Sequence, residues 1–326
     1  MTRDPDTYLA LVLAAVAALA ARPLSGRLAP RAATWLLTGT AVGLAVASLA
    51  TLAVSAMGSA LRLPPVAAVG HMSERVLRHA PQTDPVVGAV ATVLLLTCLV
   101  SALCVAVRQG YRLVTSARTA RALPGHGLIA LVDDAEAEAF ALPGRPGRVV
   151  VTTGMLDVLT PAQRDALIAH ERAHLADRHH LFRALTAVAV AANPLLWPLR
   201  GAVAFATERW ADERAAASID DRAQTAQAIG RAALAHNRRP RLAQPAALGV
   251  AHDSGRAHGL ARRQVLARFR RTGPLPRRVK ALLEPPPARR PLLVAAMAAL
   301  VVTSLLAAQD AVVDLHELVE HAQAAD

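Results

Sequence analysis

The sequence predicts a mainly α, polytopic membrane protein with about four transmembrane helices and a cytoplasmic α+β domain built on a small sheet. Three observations lead there. Of the 326 residues, 54% are hydrophobic but only 3% aromatic, and mean hydropathy is +0.33. The apolar residues are chiefly Ala, Leu and Val gathered in uncharged blocks, which is the pattern of membrane helices. A polar middle, about 109–288, separates the third block from the fourth and carries short strand-like runs and capped helices.

The four blocks are 8–21, 33–57, 85–107 and 291–308. A spanning helix needs about 20 apolar residues, so the first is marginal unless Arg22 snorkels. A signal peptide competes for this stretch, but residues 1–6 lack net positive charge and no clean small-residue cleavage site follows. The chain thus divides into a membrane region 1–108 with three spans, a domain 109–288, a fourth span 291–308 and a short acidic tail 309–326. Cys98 and Cys104 sit inside the third block, six apart, and read as small buried hydrophobes.

Arginine placement gives the orientation. Arg22, Arg27 and Arg31 follow the first span, Arg108, Arg112, Arg118 and Arg121 the third, and Arg289 and Arg290 precede the fourth. All share one side if the N-terminus is outside, which makes 109–288 cytoplasmic and puts both termini outside. The tail from Asp310, with five acids and no Lys or Arg, agrees; the connection 58–84, with Arg62, Arg75 and Arg78, runs against it. A fifth apolar stretch, 181–206, holds Arg183, the Asn193-Pro194 break, Pro198 and Arg200. Too few residues precede the break to cross a bilayer, so a buried or interfacial helical hairpin is expected.

The chemistry concentrates in a helix announced by Thr160-Pro161-Ala162-Gln163: an N-cap, a proline at the first helical position and a Gln three after the cap. Asp165 complements the helix dipole. His170 and His174 in His170-Glu171-Arg172-Ala173-His174 stand four apart, hence on one face, where together they can bind one ion. Glu171 beside them can hold the attacking water, deprotonate it and return the proton to the leaving amine. The same five residues would also suit a solvated helix face in an Arg-rich chain with 12 histidines.

Catalytic zinc takes three protein ligands and keeps one position open. No cysteine pattern is available, and the third ligand is expected to be Glu208, 34 residues beyond His174 and just after the apolar hairpin. Asp212, one turn further, can accept the free ring N–H of a ligating histidine. Glu208 and Asp212 can also be read as an ordinary charged helix end, and Glu213 is the reserve ligand. His179 and His180 are read as a solvated helix end or a rim touching substrate, outside the ligand set.

Phe140-Ala-Leu-Pro-Gly-Arg-Pro-Gly-Arg-Val-Val-Val-Thr-Thr-Gly154, the His170–His174 run, Asn193-Pro-Leu-Leu-Trp197, and Glu208 with Asp212 together resemble the membrane metallopeptidases of the BlaR/MecR beta-lactam-sensor type. The chain is more distantly similar to the HtpX and CAAX prenyl protease group. The resemblance covers about 120–216 well. It implies a gluzincin with one zinc ion per chain, His170, His174 and Glu208 as ligands, Glu171 as catalytic base and Asp212 supporting a ligand. It also implies cleavage of a cytoplasmic protein, typically a transcriptional repressor, in a signalling role. The antibiotic sensors carry a large extracellular domain after the last span; here about 18 residues follow, so beta-lactam sensing is not carried over. Runs 137–142 and 148–153 read as strands, with 128–132 a third. In such enzymes an edge strand beside the motif helix accepts substrate as an added strand; a hairpin that merely completes the sheet is the equal alternative.

The segment 222–290 is dominated by Arg, with Asp253 and Glu284 its only acids, within a chain of net charge +12 whose only lysine is Lys280. No helix-turn-helix, zinc finger or aromatic platform accompanies it, so direct nucleic-acid binding is not expected. Contact with anionic lipid head groups explains the charge more simply. The expected function is therefore a zinc-dependent integral-membrane endopeptidase. A non-enzymatic membrane sensor or adaptor with a degenerate site is the alternative. A transporter fits poorly, because the spans hold almost no charged residues.

Overall fold

The computed structural model describes residues 5–61, 85–237, 275–285 and 290–324. Helices α1 (Pro5–Arg27), α2 (Pro30–Ala60), α3 (Pro85–Ala122) and the C-terminal Pro291–Ala324 form a bundle. Among the described residues, three helices are long and apolar enough to cross a membrane: Pro30–Ala60, Pro85–Ala122 and Pro291–His321. The first expected span is helical within α1, but its apolar run 8–21 covers only about 21 Å against a hydrocarbon core of about 30 Å.

The bundle has a centre and a rim. α2 lies inside, burying Leu37, Ala41, Leu44 and Ala45, whereas α3 leaves Val93, Leu96, Val100, Leu103 and Val107 exposed. An apolar helix bare on most sides is suited to lipid and not to water. Gly88 of α3 packs directly on Ser59 of α2, and a Cβ at Gly43 would stand 2.5 Å from Val301 Cγ1 of the C-terminal helix. Small residues let membrane helices approach this closely. The C-terminal helix also runs past the expected span: what the sequence suggests is a separate acidic tail continues as helix to Ala324. After Pro291 no Gly or Pro interrupts it, and His316 and Glu320 add an i,i+4 pair.

The polar middle begins with a three-stranded sheet of β1 (Ile129–Val132), β2 (Ala139–Leu142) and β3 (Arg148–Thr152), ordered β1-β3-β2. β1 runs parallel to β3 and β2 antiparallel to it. The central strand β3 is buried throughout. Its Val149 and Val151 pack against Met155, Leu159 and Leu167, while Val150 packs against Ala120, Leu123 and Leu142. The end of α3 therefore covers one face of the sheet, and the helices that follow cover the other. These are α4 (Thr153–Val158) and the motif helix α5 (Pro161–Ala176).

Next come α6 (His179–Ala192), a 3-10 turn at Pro194–Leu196, and α7 (Trp197–Ile219). The two helices form the hairpin expected at the Asn193-Pro194 break. It is not interfacial decoration: Phe182, Val190, Leu196, Leu199, Val203 and Ala206 share one core with Ala17, Leu37, Leu44 and Met297. Its tip is tied by Asn193, whose Nδ2 donates to Ser48 Oγ at 2.8 Å and whose Oδ1 accepts from Leu195 N at 3.0 Å. Irregular backbone among membrane helices persists where its polar groups are satisfied by protein in this way. Because α7 returns antiparallel to α6, Glu208 ends at the level of α5. α8 (Arg222–Asn237) and α9 (Leu275–Leu283) close the unit, with Ile229 and Leu282 packed on Ala216. The rest of the Arg-rich segment, 238–274, and residues 286 and 287 of the proline run lie outside the described residues. The C-terminal Pro291–Ala324 is α10.

Candidate metal centre

The helix that carries the motif starts as its sequence dictates. Thr160 Oγ1 accepts from Gln163 N at 3.4 Å, Gln163 Oε1 accepts from Thr160 N at 3.2 Å, and Pro161 opens the first turn. Such a reciprocal box satisfies two otherwise unpaired N–H donors and fixes where the helix begins. His170 and His174 then fall on one face, toward α7.

On α7, Glu208 meets them. His170 Nε2 and His174 Nε2 are 3.1 Å apart, His170 Nε2 lies 3.7 Å from Glu208 Oε2, and His174 Nε2 lies 3.7 Å from Glu208 Oε1. His170 and Glu208 are buried and His174 half-buried. A tetrahedral zinc with bonds of about 2.0–2.1 Å separates its ligand atoms by about 3.3–3.4 Å. The observed separations bracket that value, and two imidazoles plus one carboxylate is a donor set catalytic zinc uses. The residues fit the ion.

Electrostatics around the cluster are polarised. Arg278 of α9 donates from Nε and Nη2 to the two Asp212 oxygens at 2.8 and 2.6 Å, and its Nη1 lies 2.9 Å from Glu208 Oε2. Burial by itself raises both carboxyls, but Arg278 acting together with the neighbouring histidines outweighs it and holds Glu208 and Asp212 below their ordinary range. Asp212 Oδ1 is also 3.0 Å from His170 Nδ1, a close ion-pair contact bent away from good hydrogen-bond alignment. Burial lowers the His170 imidazolium, yet Asp212 and Glu208 hold it up at about 10. Burial drives His174 well down, leaving it a neutral ring. Arg183 of α6 reaches Glu208 Oε1 at 3.4 Å from the more open side.

Glu171 is buried beside this group, where the backbone N–H of Ala141, on edge strand β2, favours its charged form. Burial raises its carboxyl above the ordinary value. Glu213, the reserve ligand, is turned away: Arg222 Nη2 donates to its Oε1 at 3.0 Å. The chain's ordinary helix periodicity separates it from Glu208 and Asp212, which share a face.

Two functional neighbours differ from the sequence expectation. Arg278 belongs to a segment read as lipid-facing, yet it is buried among carboxylates. One arginine in a run of arginines carries no local signal of that. His179, expected at a solvated helix end, is 1% exposed. Its Nδ1 lies 2.9 Å from His174 Nδ1, and its ring packs on Trp210 with centroids 4.8 Å apart. The cause is the link between α5 and α6, where Arg178 takes a left-handed φ of 50° and turns the chain back on itself. His180, the other half of the pair, is half-buried and has no such contact among those described. His179 Nε2 is buried with no hydrogen-bond partner among the described residues, a defect costing about 1–3 kcal/mol. Packing alone is poor reason for a histidine there.

The site is fastened to α1 and α2 by the residues between Glu208 and Asp212. Arg209 Nη1 donates to Ser25 O at 2.8 Å and Leu28 O at 3.2 Å, satisfying carbonyls at the end of α1. Trp210 lies under the Arg31 guanidinium, 5.7 Å from the ring centroid.

No curated protein and no solved structure matches the chain. Peptidase family M48 matches residues 108–285, more than half of its length, from the end of α3 through α9. The matched stretch holds the sheet, the motif helix, the hairpin and Arg278. With the His170, His174 and Glu208 cluster inside it, the chain belongs to peptidase family M48, a family of zinc metallopeptidases.

Proposed function

We propose that the chain is a zinc-dependent integral-membrane endopeptidase of the sensor type its sequence resembles, hydrolysing a cytoplasmic protein such as a transcriptional repressor. The observation that carries this reading is the convergence of His170, His174 and Glu208 next to the buried Glu171. When bound, the ion supplies Lewis-acid polarisation of the scissile carbonyl and a more acidic water. Glu171 is the base: its carboxylate takes a proton from water and hands it to the leaving amine. A carboxyl raised by burial is better matched to doing both near neutral pH. Asp212 orients His170 through Nδ1, and Arg278 keeps Asp212 and Glu208 ionised. Beside Glu171, edge strand β2 offers outward-facing backbone to which an extended substrate can add as a further strand.

We further propose that α1 acts as a fourth span with the help of Arg22, that the α6–α7 hairpin is re-entrant, and that the site faces the cytoplasm. Between the Trp35–Phe182 ring contact and the Ser48–Asn193 bond, the hairpin tracks α2 for about 20 Å, beyond the midplane of a core of about 30 Å. With Cys98 and Cys104 replaced, Asp165→Cys on α5 and Ser218→Cys on α7 are expected to react with an impermeant maleimide only in opened membranes. Asp314→Cys on α10 is expected to react in intact cells. Labelling of Ser218→Cys alone from outside would dismantle the site.

The direct test of the metal is its stoichiometry. Protein purified in mild detergent is expected to hold one zinc per chain by elemental analysis, and His174→Ala and Glu208→Ala to hold little. Chelation should abolish proteolysis and added zinc restore it. Full proteolysis by metal-free protein would sink the reading.

A further inference from the structure

We propose that His179 is a positioning residue for the ligand His174, accepting the Nδ1–H of His174 and so fixing the tautomer that presents Nε2 to the ion. This rests on the reading of His170, His174 and Glu208 as the metal site. The argument is one of donor and acceptor. An Nδ1···Nδ1 distance of 2.9 Å between two imidazoles is a hydrogen bond only if one nitrogen carries the proton and the other a lone pair. His174 Nε2 faces His170 Nε2 at 3.1 Å and Glu208 at 3.7 Å, so its lone pair is committed there and its proton resides on Nδ1. His179 must then accept at Nδ1 and carry its own proton on Nε2. The tautomer of one ring is set by the other, as a ligating histidine's outer partner generally does.

The two ligands are thereby braced differently. His170 leans on a carboxylate, Asp212, itself clamped by Arg278. His174 leans on a neutral aromatic ring, held edge-on at 4.9 Å and 86° and backed by Trp210. Trp210 in turn lies against Phe182, and Phe182 against Trp35 of α2. His179 is thus the end of a packed aromatic row that runs from a membrane helix to a metal ligand. Its place follows from the left-handed Arg178 link, which turns the start of α6 inward and buries His179.

The experiment compares variants of the full chain in detergent by zinc competition against a chromophoric chelator, with apo-protein melting as control. His179→Phe keeps an aromatic ring on Trp210 but has no acceptor. His179→Asn loses the ring but places Oδ1 where Nδ1 stood. The positioning role predicts zinc binding about 10–100-fold weaker in His179→Phe and close to wild type in His179→Asn, whatever the melting temperatures. A purely structural role predicts the reverse order, with His179→Asn the worse, and that result overturns the inference. If His179→Phe fails to fold, His179→Leu takes its place in the same comparison. Equal zinc affinity for wild type and the ring or leucine variant, while His174→Ala loses zinc, overturns the inference and leaves the metal site standing. No zinc binding by wild type overturns both.

Discussion

Substituting Glu171→Gln is expected to lower the turnover of a protein substrate by about 10²–10⁴-fold while leaving zinc content and melting temperature near those of the parent. The separation follows from the geometry. Glu171 is not among the three residues whose donor atoms converge, so removing its charge does not remove a ligand. Its carboxyl is buried and already raised by that burial, so a neutral isostere relieves a cost instead of creating one. The amide keeps the size and shape of the carboxyl it replaces, so the packing of α5 on β2 is undisturbed. What is lost is the capacity to receive a proton from water and return it. Turnover would be followed on a cytoplasmic protein or unfolded casein, with zinc measured in parallel. Activity that survives, or zinc that disappears with the carboxylate, would each remove Glu171 from the role of base.

Much of this site can be read from the chain because its parts obey local rules. The cap at Thr160 and Gln163 sets the start of α5, and the four-residue spacing then puts His170 and His174 on one face. Glu208 could be reached by a longer step: an apolar stretch broken at Asn193-Pro194 is expected to turn back as a hairpin, which returns its far end to the level of the motif helix. Asp212 follows by one helical turn. Two of the strands were legible as short apolar runs on either side of the turn residues Pro143-Gly144-Arg145-Pro146-Gly147, and 128–132 as a third. Arg278 was not, because nothing local distinguishes it from Arg277, which stays on the surface over Phe205. Its identity depends on how α9 lies against α7, a tertiary fact beyond a segment that local pattern does not describe. His179 was missed for a related reason. The expectation of a solvated end assumed that the helix simply stopped, and a single left-handed residue re-aimed the next one inward. The length of α10 was missed because negative charge after an apolar run was taken as a boundary, although acids are compatible with helix.

Arg278→Met is expected to cost about 3–5 kcal/mol, seen as a fall of roughly 10 °C in melting temperature, the largest stability effect of any single change around the site. Both partners of the guanidinium are carboxylates, each almost wholly buried: Asp212 is 1% and Glu208 6% exposed. Methionine fills similar space but leaves these two charges facing the interior without their cation, and it is the unpaired buried charge that destabilises, more than the loss of the pair. The bound ion should soften the loss, because zinc neutralises Glu208 directly. The deficit is therefore expected to be greater in chelator than in zinc, and that difference separates an electrostatic cause from bad packing. Arg277→Ala is the matched control. Its guanidinium is exposed and lies 4.5 Å from the Phe205 centroid, a contact worth about 0.5–1 kcal/mol. Adding Asp212→Asn to Arg278→Met removes one of the stranded charges and is expected to recover part of the stability while weakening zinc binding through His170. Melting curves in matched detergent, with and without zinc, decide the matter. If Arg278→Met costs no more than Arg277→Ala, the carboxylates are not held by Arg278, and the clamp that this site has been given does not exist.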